Sequence, residues 1–299
     1  MIIFIIEEAM SVLIDSDDYV VRESVVVDND SIFEINQALL KLHVDLNSTM
    51  TLSREEFFNI LNKKQILSIV IELKKTKNII GIMLYHDQYN ESLNGLGMHV
   101  DTLMIVTEMQ GKGYGKILMQ TMINIAEKEK SKFISLYRRK DPALERFYKK
   151  FGFKVNESLS VMSFENFTQK NTLGVEEVDC THVDLSSNRW KPENEINTNK
   201  YKKIVLSNDE EELVFYEQIH IDGWRGHVLS YSSFSGNEGL FNADILLQRI
   251  NELKSGGLQI NDIRCLLENQ YQGIYRKFID VGFSDCKEHN WSLEVKLLQ

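Results

Sequence analysis

Seven residues, Gln110 to Lys116, constrain this chain more than any other stretch. QGKGYGK sets three glycines between an extended run, Gly97 to Val106, and ILMQTMINIAEKEK, where Ile117, Leu118, Met122 and Ile125 share one helical stripe. The predicted order is strand, glycine turn, helix. Backbone N–H groups at a helix start are aimed donors, the helix dipole adds positive potential, and glycine lets the main chain come close, so such a turn suits a pyrophosphate. The amides of Gly111, Lys112, Gly113, Tyr114 and Gly115 can wrap phosphate oxygens, with Lys112 or Lys116 adding a mobile charge. Taken alone, the spacing also fits a plain tight turn or a dinucleotide-binding loop. A dinucleotide fingerprint, however, follows the first strand of a βαβ unit and has an acidic residue about 20 positions on. Here the turn follows the fourth extended run.

The preceding runs fix that count. YVVRESVVV from Tyr19 is β-branched and reads as a strand, and SIFEINQALLKLH carries Ile32, Ile35, Leu39 and Leu40 at helical spacing. Ser53 with Glu56 forms a capping-box pattern opening a second helix, SREEFFNILNKK. QILSIVIEL and NIIGIMLYH flank the polar KKTKN, a hairpin signature. After the glycine turn and its helix, FISLY reads as a strand, DPALERFYKK as a helix entered through Asp141 and Pro142, and GFKV as a returning strand.

Between about Asn166 and Asn199 the periodicity weakens and polar residues cluster, which predicts a boundary. YKKIVLS, ELVFYEQIHI and HVLSYSSFS then read as strands, NADILLQRINELK as a helix, QINDIRCLLE as a strand, QYQGIYRKFIDV as a helix and HNWSLEVKL as a last strand. This order echoes the first half. RFYKKFGF at Arg146 to Phe153 also overlays RKFIDVGF at Arg276 to Phe283 without a gap, matching Gly152 with Gly282 and Phe153 with Phe283. The expected organisation is a diverged tandem repeat: an N-terminal extension over 1–17, a first domain over 18–165, a linker and start of the second repeat over 166–199, and a second domain over 200–299.

A net charge of -10 argues against nucleic acid as a partner and suits a cationic substrate. Cys180, Cys265 and Cys286 have neither an even count nor metal spacing, so no disulfide framework and no metal site are expected, and the cytoplasm fits. The start, MIIFIIEEAM, lacks the basic leader of a signal peptide and the length of a membrane span. It reads as an added strand, a homodimer interface or a start upstream of the true one at Met10.

Gln110, Gly113 and Gly115 match the signature of the GNAT superfamily of acetyltransferases: Gln or Arg, two residues, Gly, one residue, Gly or Ala. The resemblance runs from about Tyr19 to Glu165 and includes the helix carrying Tyr148 before Gly152 and Phe153. It implies a mixed α/β fold with a central, mostly antiparallel sheet whose fourth and fifth strands splay apart, here present twice. It also implies acetyl-coenzyme A as co-substrate, bound along the strand edge at Leu103, Met104 and Ile105, with the Ile105 amide polarising the thioester oxygen. Tyr148 takes the place of the family's general acid. Asp141 stands where the family often has an Asn that bonds the coenzyme, although it equally reads as a helix cap.

The family reaction is direct attack by an amine, which must first lose a proton. His99, Asp101 and Glu108 are candidate bases. Asp101 is preferred, and strand alternation puts it on one face with His99 and Leu103, lining a pocket or facing solvent. The second half lacks an equivalent site: SGNEGLF at Ser235 to Phe241 puts Glu238 where donors are needed, and Phe278 falls opposite Tyr148. Its expected role is to cover the first domain and shape the acceptor pocket, whose contacts are expected from loops around Leu46 to Met50 and Asp87 to Asn94. The expected function is N-acetylation of a primary amine on a small molecule. Protein or peptide acetylation, and an acyl-coenzyme A sensor without turnover, are the alternatives.

Overall fold

The computed structural model describes residues 11–42, 52–90, 93, 95–156, 159–165, 183–184, 201–207, 211–222, 226–242, 255, 262–280, 283–285 and 291–298. The apolar start, the helix expected from Asn242, the acceptor segment Leu46 to Met50, Cys180 and Cys286 lie outside these residues. The chain forms two compact units, residues 1–86 with 99–130, and 87–98 with 131–299.

In the first unit, β1 (Val12–Asp15), β2 (Tyr19–Glu23), β3 (Leu67–Leu73) and β4 (Ile79–Asn90) pair antiparallel in sequence order. They are joined by α1 (Asn29–Leu42) and α2 (Arg54–Asn62) and followed by β5 (Gly95–Ile105) and α3 (Tyr114–Lys128); β4 beyond His86 and β5 before His99 are counted with the second unit. The capping box forms as the sequence predicts: Ser53 Oγ accepts from Glu56 N while Ser53 N donates to Glu56 Oε2 at 2.8 Å. KKTKN closes the β3–β4 hairpin, with Lys77 at φ 60 and its amide on Leu73 O at 2.8 Å. Val21, Ile32, Phe57, Ile69, Ile82, Leu118 and Met122 have no exposed surface and form the unit's core. Burying one such side chain contributes roughly 1.5–3 kcal/mol, which is why apolar periodicity decides these elements.

The second unit contains β6 (Phe133–Arg139), α4 (Pro142–Lys149), β7 (Lys154–Val155), β8 (Leu159–Glu165), β9 (Val183–Asp184), β10 (Tyr201–Ser207), β11 (Glu212–Asp222) and β12 (Gly226–Gly236). It ends with β13 (Asp262–Glu268), α5 (Gln272–Asp280), β14 (Ser284–Asp285) and β15 (Trp291–Leu297). The elements β10, β11, β12, β13, α5 and β14 repeat the order of β3, β4, β5, β6, α4 and β7. A seven-stranded sheet runs β14-β8-β13-β12-β11-β10-β9, antiparallel except for the β12–β13 pair. That parallel pairing spans Val228↔Asp262 to Tyr231↔Cys265, although β12 continues to Gly236.

The repeats exchange their last strands. β8 follows β7 in sequence but lies between β13 and β14, while β15 follows β14 but lies between β6 and β7. The turns after α4 and α5 are also equivalent: Phe153 N donates to Tyr148 O at 3.3 Å, and Phe283 N to Phe278 O at 3.0 Å. Gly152 holds φ 84 there, the left-handed cap such a turn requires. Cys265 is a free, fully buried thiol. Burial pushes its pKa well above the usual thiol value, with Glu268 adding to the rise.

Candidate functional site

The glycine turn forms where the sequence predicts it. A single 3-10 turn, Thr107–Met109, leads from β5 into Gln110, and Gly113 at φ 93 is the N-cap of α3. Gly111 has φ 75, and a Cβ built at either glycine meets no atom within 4 Å. The turn is therefore open, and side chains there are limited by backbone conformation. The first helical bonds run from Lys116 N and Ile117 N to Gly113 O, so the N–H groups of Tyr114 and Gly115 open the helix without an intrahelical acceptor. They join the Gly111, Lys112 and Gly113 amides on an exposed surface flanked by Lys112 and Lys116. The residues suit an anionic pyrophosphate. Tyr114 is held by an edge-on contact with Tyr19, ring centroids 5.7 Å apart.

Gln110 does more than match a signature. Its Nε2 donates to Ile105 O at 2.9 Å and fixes the end of β5. Val106 N donates to Ile80 O at 3.0 Å, so by alternation the Ile105 and Leu103 peptide groups face away from β4, and the Met104 carbonyl faces Gly81. Gly81 makes this approach fit: a Cβ there would lie 2.5 Å from Ile105 Cδ1 and 3.3 Å from Met104 O.

Asp101 is not solvent-facing. Its Oδ2 lies 2.9 Å from His86 Nδ1, with the two side chains 2% and 1% exposed. The His99 ring lies 5.3 Å from that of His86, and His99 is buried as well. His86 was not among the expected residues. It ends the run NIIGIMLYH and is 15 positions from Asp101, so only the pairing of adjacent strands brings them together. Glu108 sits in the exposed 3-10 turn.

In the second unit, Asp141 is the N-cap of α4. Its Oδ1 accepts from Ala143 N at 2.6 Å and Leu144 N at 3.2 Å, and Pro142 occupies the first turn. Tyr148, 9% exposed, packs edge-on against Phe147 and Phe153. Its pKa is raised to about 12: burial raises it most, the Arg138 charge draws it back and Glu294 raises it again. The segment expected as a loop from Asp87 to Asn94 is instead strand through Asn90. Gln218 Nε2 donates to Asp87 O at 3.2 Å, the Tyr89 and Tyr216 rings lie 5.2 Å apart, and Ser233 Oγ bonds Asn90 Oδ1 at 3.4 Å. Tyr216 and Gln218 on β11 and Ser233 on β12 offer this extension partners, which local turn chemistry does not reveal.

Among the described residues, the counterpart segment Ser235 to Phe241 of the second repeat forms no open turn. Asn237 caps a 3-10 turn, Glu238 Oε2 accepts from Gly273 N at 2.9 Å, and Lys277 Nζ donates to Phe241 O at 2.5 Å. The carboxylate takes a donor at the start of α5, and fully buried Phe278 provides no hydroxyl. Among the described residues, no group of three or more His, Cys, Asp or Glu could hold a metal ion, and no helix is long and apolar enough to cross a membrane.

The acetyltransferase (GNAT) family matches residues 34–153. No curated protein matches the chain. Similar solved structures include a spermidine N-acetyltransferase from Vibrio cholerae, 19% identical over 47% of this chain and 82% of that one, with a TM-score of 0.37. PaiA N-acetyltransferase from Thermoplasma acidophilum, in complex with coenzyme A, is 20% identical over 46% of this chain and 91% of that one, with a TM-score of 0.39. A tandem GNAT protein from the clavulanic acid biosynthesis pathway is 8% identical over 94% of this chain and 98% of that one, with a TM-score of 0.46.

Proposed function

Because residues 34–153 belong to the acetyltransferase (GNAT) family, we propose that this chain transfers acetyl from acetyl-coenzyme A to a primary amine on a small molecule by direct attack. The observation that carries this reading is the open turn from Gly111 to Gly115, built at the N-terminus of α3 and tied to β5 through Gln110. Acetyl-coenzyme A carries a pyrophosphate that such a turn can hold and a thioester that supplies the acetyl group.

In this reading the Gly111 to Gly115 amides bind the pyrophosphate, aided by Lys112 and Lys116. Leu103 and Ile105 offer backbone groups along the edge of β5 facing away from β4, and the Ile105 N–H donates to the thioester oxygen as negative charge develops on it. Asp101 takes the proton of the attacking amine, directly or through His86. Tyr148, a protonated phenol at physiological pH, gives its proton to the departing sulfur. Asp141 serves mainly as the cap that orients α4. The second repeat supports the site without a cofactor turn of its own.

Isothermal titration with acetyl-coenzyme A on the wild type and on Gly113→Glu tests the reading. One binding event per chain, abolished by the substitution, and thiol release in a primary-amine screen are expected. Binding without thiol release to any amine would make the chain a sensor, and no binding would sink the proposal.

A further inference from the structure

The strand exchange places a charged residue of β15 against β6. Glu294 on β15 pairs with Leu136 across the β6 ladder, one diagonal step from Arg138, whose partner is Ser292. Arg138 Nε donates to Glu294 Oε1 at 2.5 Å, with both side chains 4% exposed. The neighbouring Nη2 of the same guanidinium reaches α4, where Glu145 Oε2 lies 3.6 Å away. Glu145 precedes Tyr148 by three positions, so the two share a helix face. Arg138 thus bridges the last strand and the helix that carries the tyrosine.

We propose that Glu294 is a positioning residue for the acid step at Tyr148: by holding the Arg138 guanidinium against β15, it withholds that charge from the tyrosine hydroxyl. The second repeat thereby supplies a residue to the site of the first. This rests on the reading of Tyr148 as the general acid. The step itself balances simply: the C–S bond breaks with its electron pair on sulfur, the Tyr148 O–H proton moves to that sulfur, and solvent reprotonates the phenolate.

The charges around Tyr148 can be named by element. β6 provides Arg138 and β15 provides Glu294; Lys296 on β15 points instead at the turn of Gly152, where a Cβ would lie 3.4 Å from its Nζ. α4 provides Glu145, which is exposed and 3.6 Å from Arg138 Nη2, and Lys154 on β7 is exposed. With Glu294 removed, the buried Arg138 charge acts on the hydroxyl without that opposing carboxylate and favours the phenolate. With Arg138 removed, the opposite follows.

A stopped-flow pH jump on the full chain, reading tyrosinate absorbance before unfolding, tests this. Each protein is compared with the same protein carrying Tyr148→Phe, so that only this hydroxyl is read. Glu294→Gln should lower the midpoint of the Tyr148 step by about one pH unit, Arg138→Met should raise it, and the double variant should lie between them. An unmoved or raised midpoint in Glu294→Gln overturns the inference. If that variant does not fold, the neutral double variant replaces it, and a midpoint there no higher than in the wild type has the same meaning, since losing Arg138 removes the larger of the two opposed charge effects. Full thiol release from acetyl-coenzyme A by Tyr148→Phe would sink the general-acid reading separately.

Discussion

The side-chain amide of Gln110 and the carbonyl of Ile105 meet at 2.9 Å, so the residue that opens the glycine turn also fixes the end of the strand before it. The bond is neutral and partly exposed, worth about 0.5–1.5 kcal/mol. In Gln110→Ala the strand end loosens, and affinity for acetyl-coenzyme A measured by titration calorimetry should fall about 2- to 12-fold. Gln110→Glu, which cannot donate at neutral pH, should do no better.

Two glycines fail for different reasons. Gly113→Ala adds a Cβ in open space, so its cost is the unfavourable φ of 93, about 1–2 kcal/mol, together with weaker acetyl-coenzyme A binding. At Gly97 a Cβ would lie 2.6 Å from three atoms of the buried Phe133 ring, and Gly97→Ala should cost about 1–3 kcal/mol through overpacking. Urea midpoints should fall in both, while the dissociation constant changes chiefly in the first.

Asp141→Ala removes both cap bonds of α4 and should cost about 1 kcal/mol in thermal unfolding. Asp141→Asn caps equally well and should restore stability. A raised KM for acetyl-coenzyme A in Asp141→Asn, at full stability, would show that the carboxylate also meets the coenzyme.

What the sequence revealed was chemistry contained in a few neighbouring residues. The capping box of Ser53, the cap of Asp141, the turn at Gly113 and the matching turns after Tyr148 and Phe278 all depend on contacts within five positions. The His86–Asp101 pair depends on strand register, and Arg138 and Glu294 are 156 positions apart. Strand exchange is invisible to periodicity, because β15 has the same alternation whichever sheet receives it. The extension of β4 to Asn90 was missed for the same reason, since its partners are supplied by β11 and β12.

Tyr148 should leave a signature in stability against pH. An unfolded tyrosine ionises near 10, whereas this one holds its proton to about 12. Below about pH 10 both states are protonated and the contribution is complete. Between about 10 and 12 only the unfolded state releases its proton, so stability falls by roughly 2–3 kcal/mol. Urea unfolding of the wild type and Tyr148→Phe should diverge over this window, and parallel curves would show that the hydroxyl is not buried.

For the base, Asp101→Asn should lower kcat/KM about 10²- to 10⁴-fold if the amine loses its proton there. His86→Gln separates the roles. A large kinetic loss marks His86 as part of the proton path, whereas a drop in thermal stability with turnover intact leaves it as a buried partner.

The interleaving of β8 and β15 sets an order for synthesis. β6 and β7 flank a vacancy until β15 emerges at residues 291–297. At about 5–20 residues per second, a nascent chain that has completed β7 waits roughly 7–30 s for that strand. During this interval β6 exposes an unpaired edge, and Arg138 has no Glu294. The Tyr148 half of the site can take its native form only after synthesis has passed residue 297.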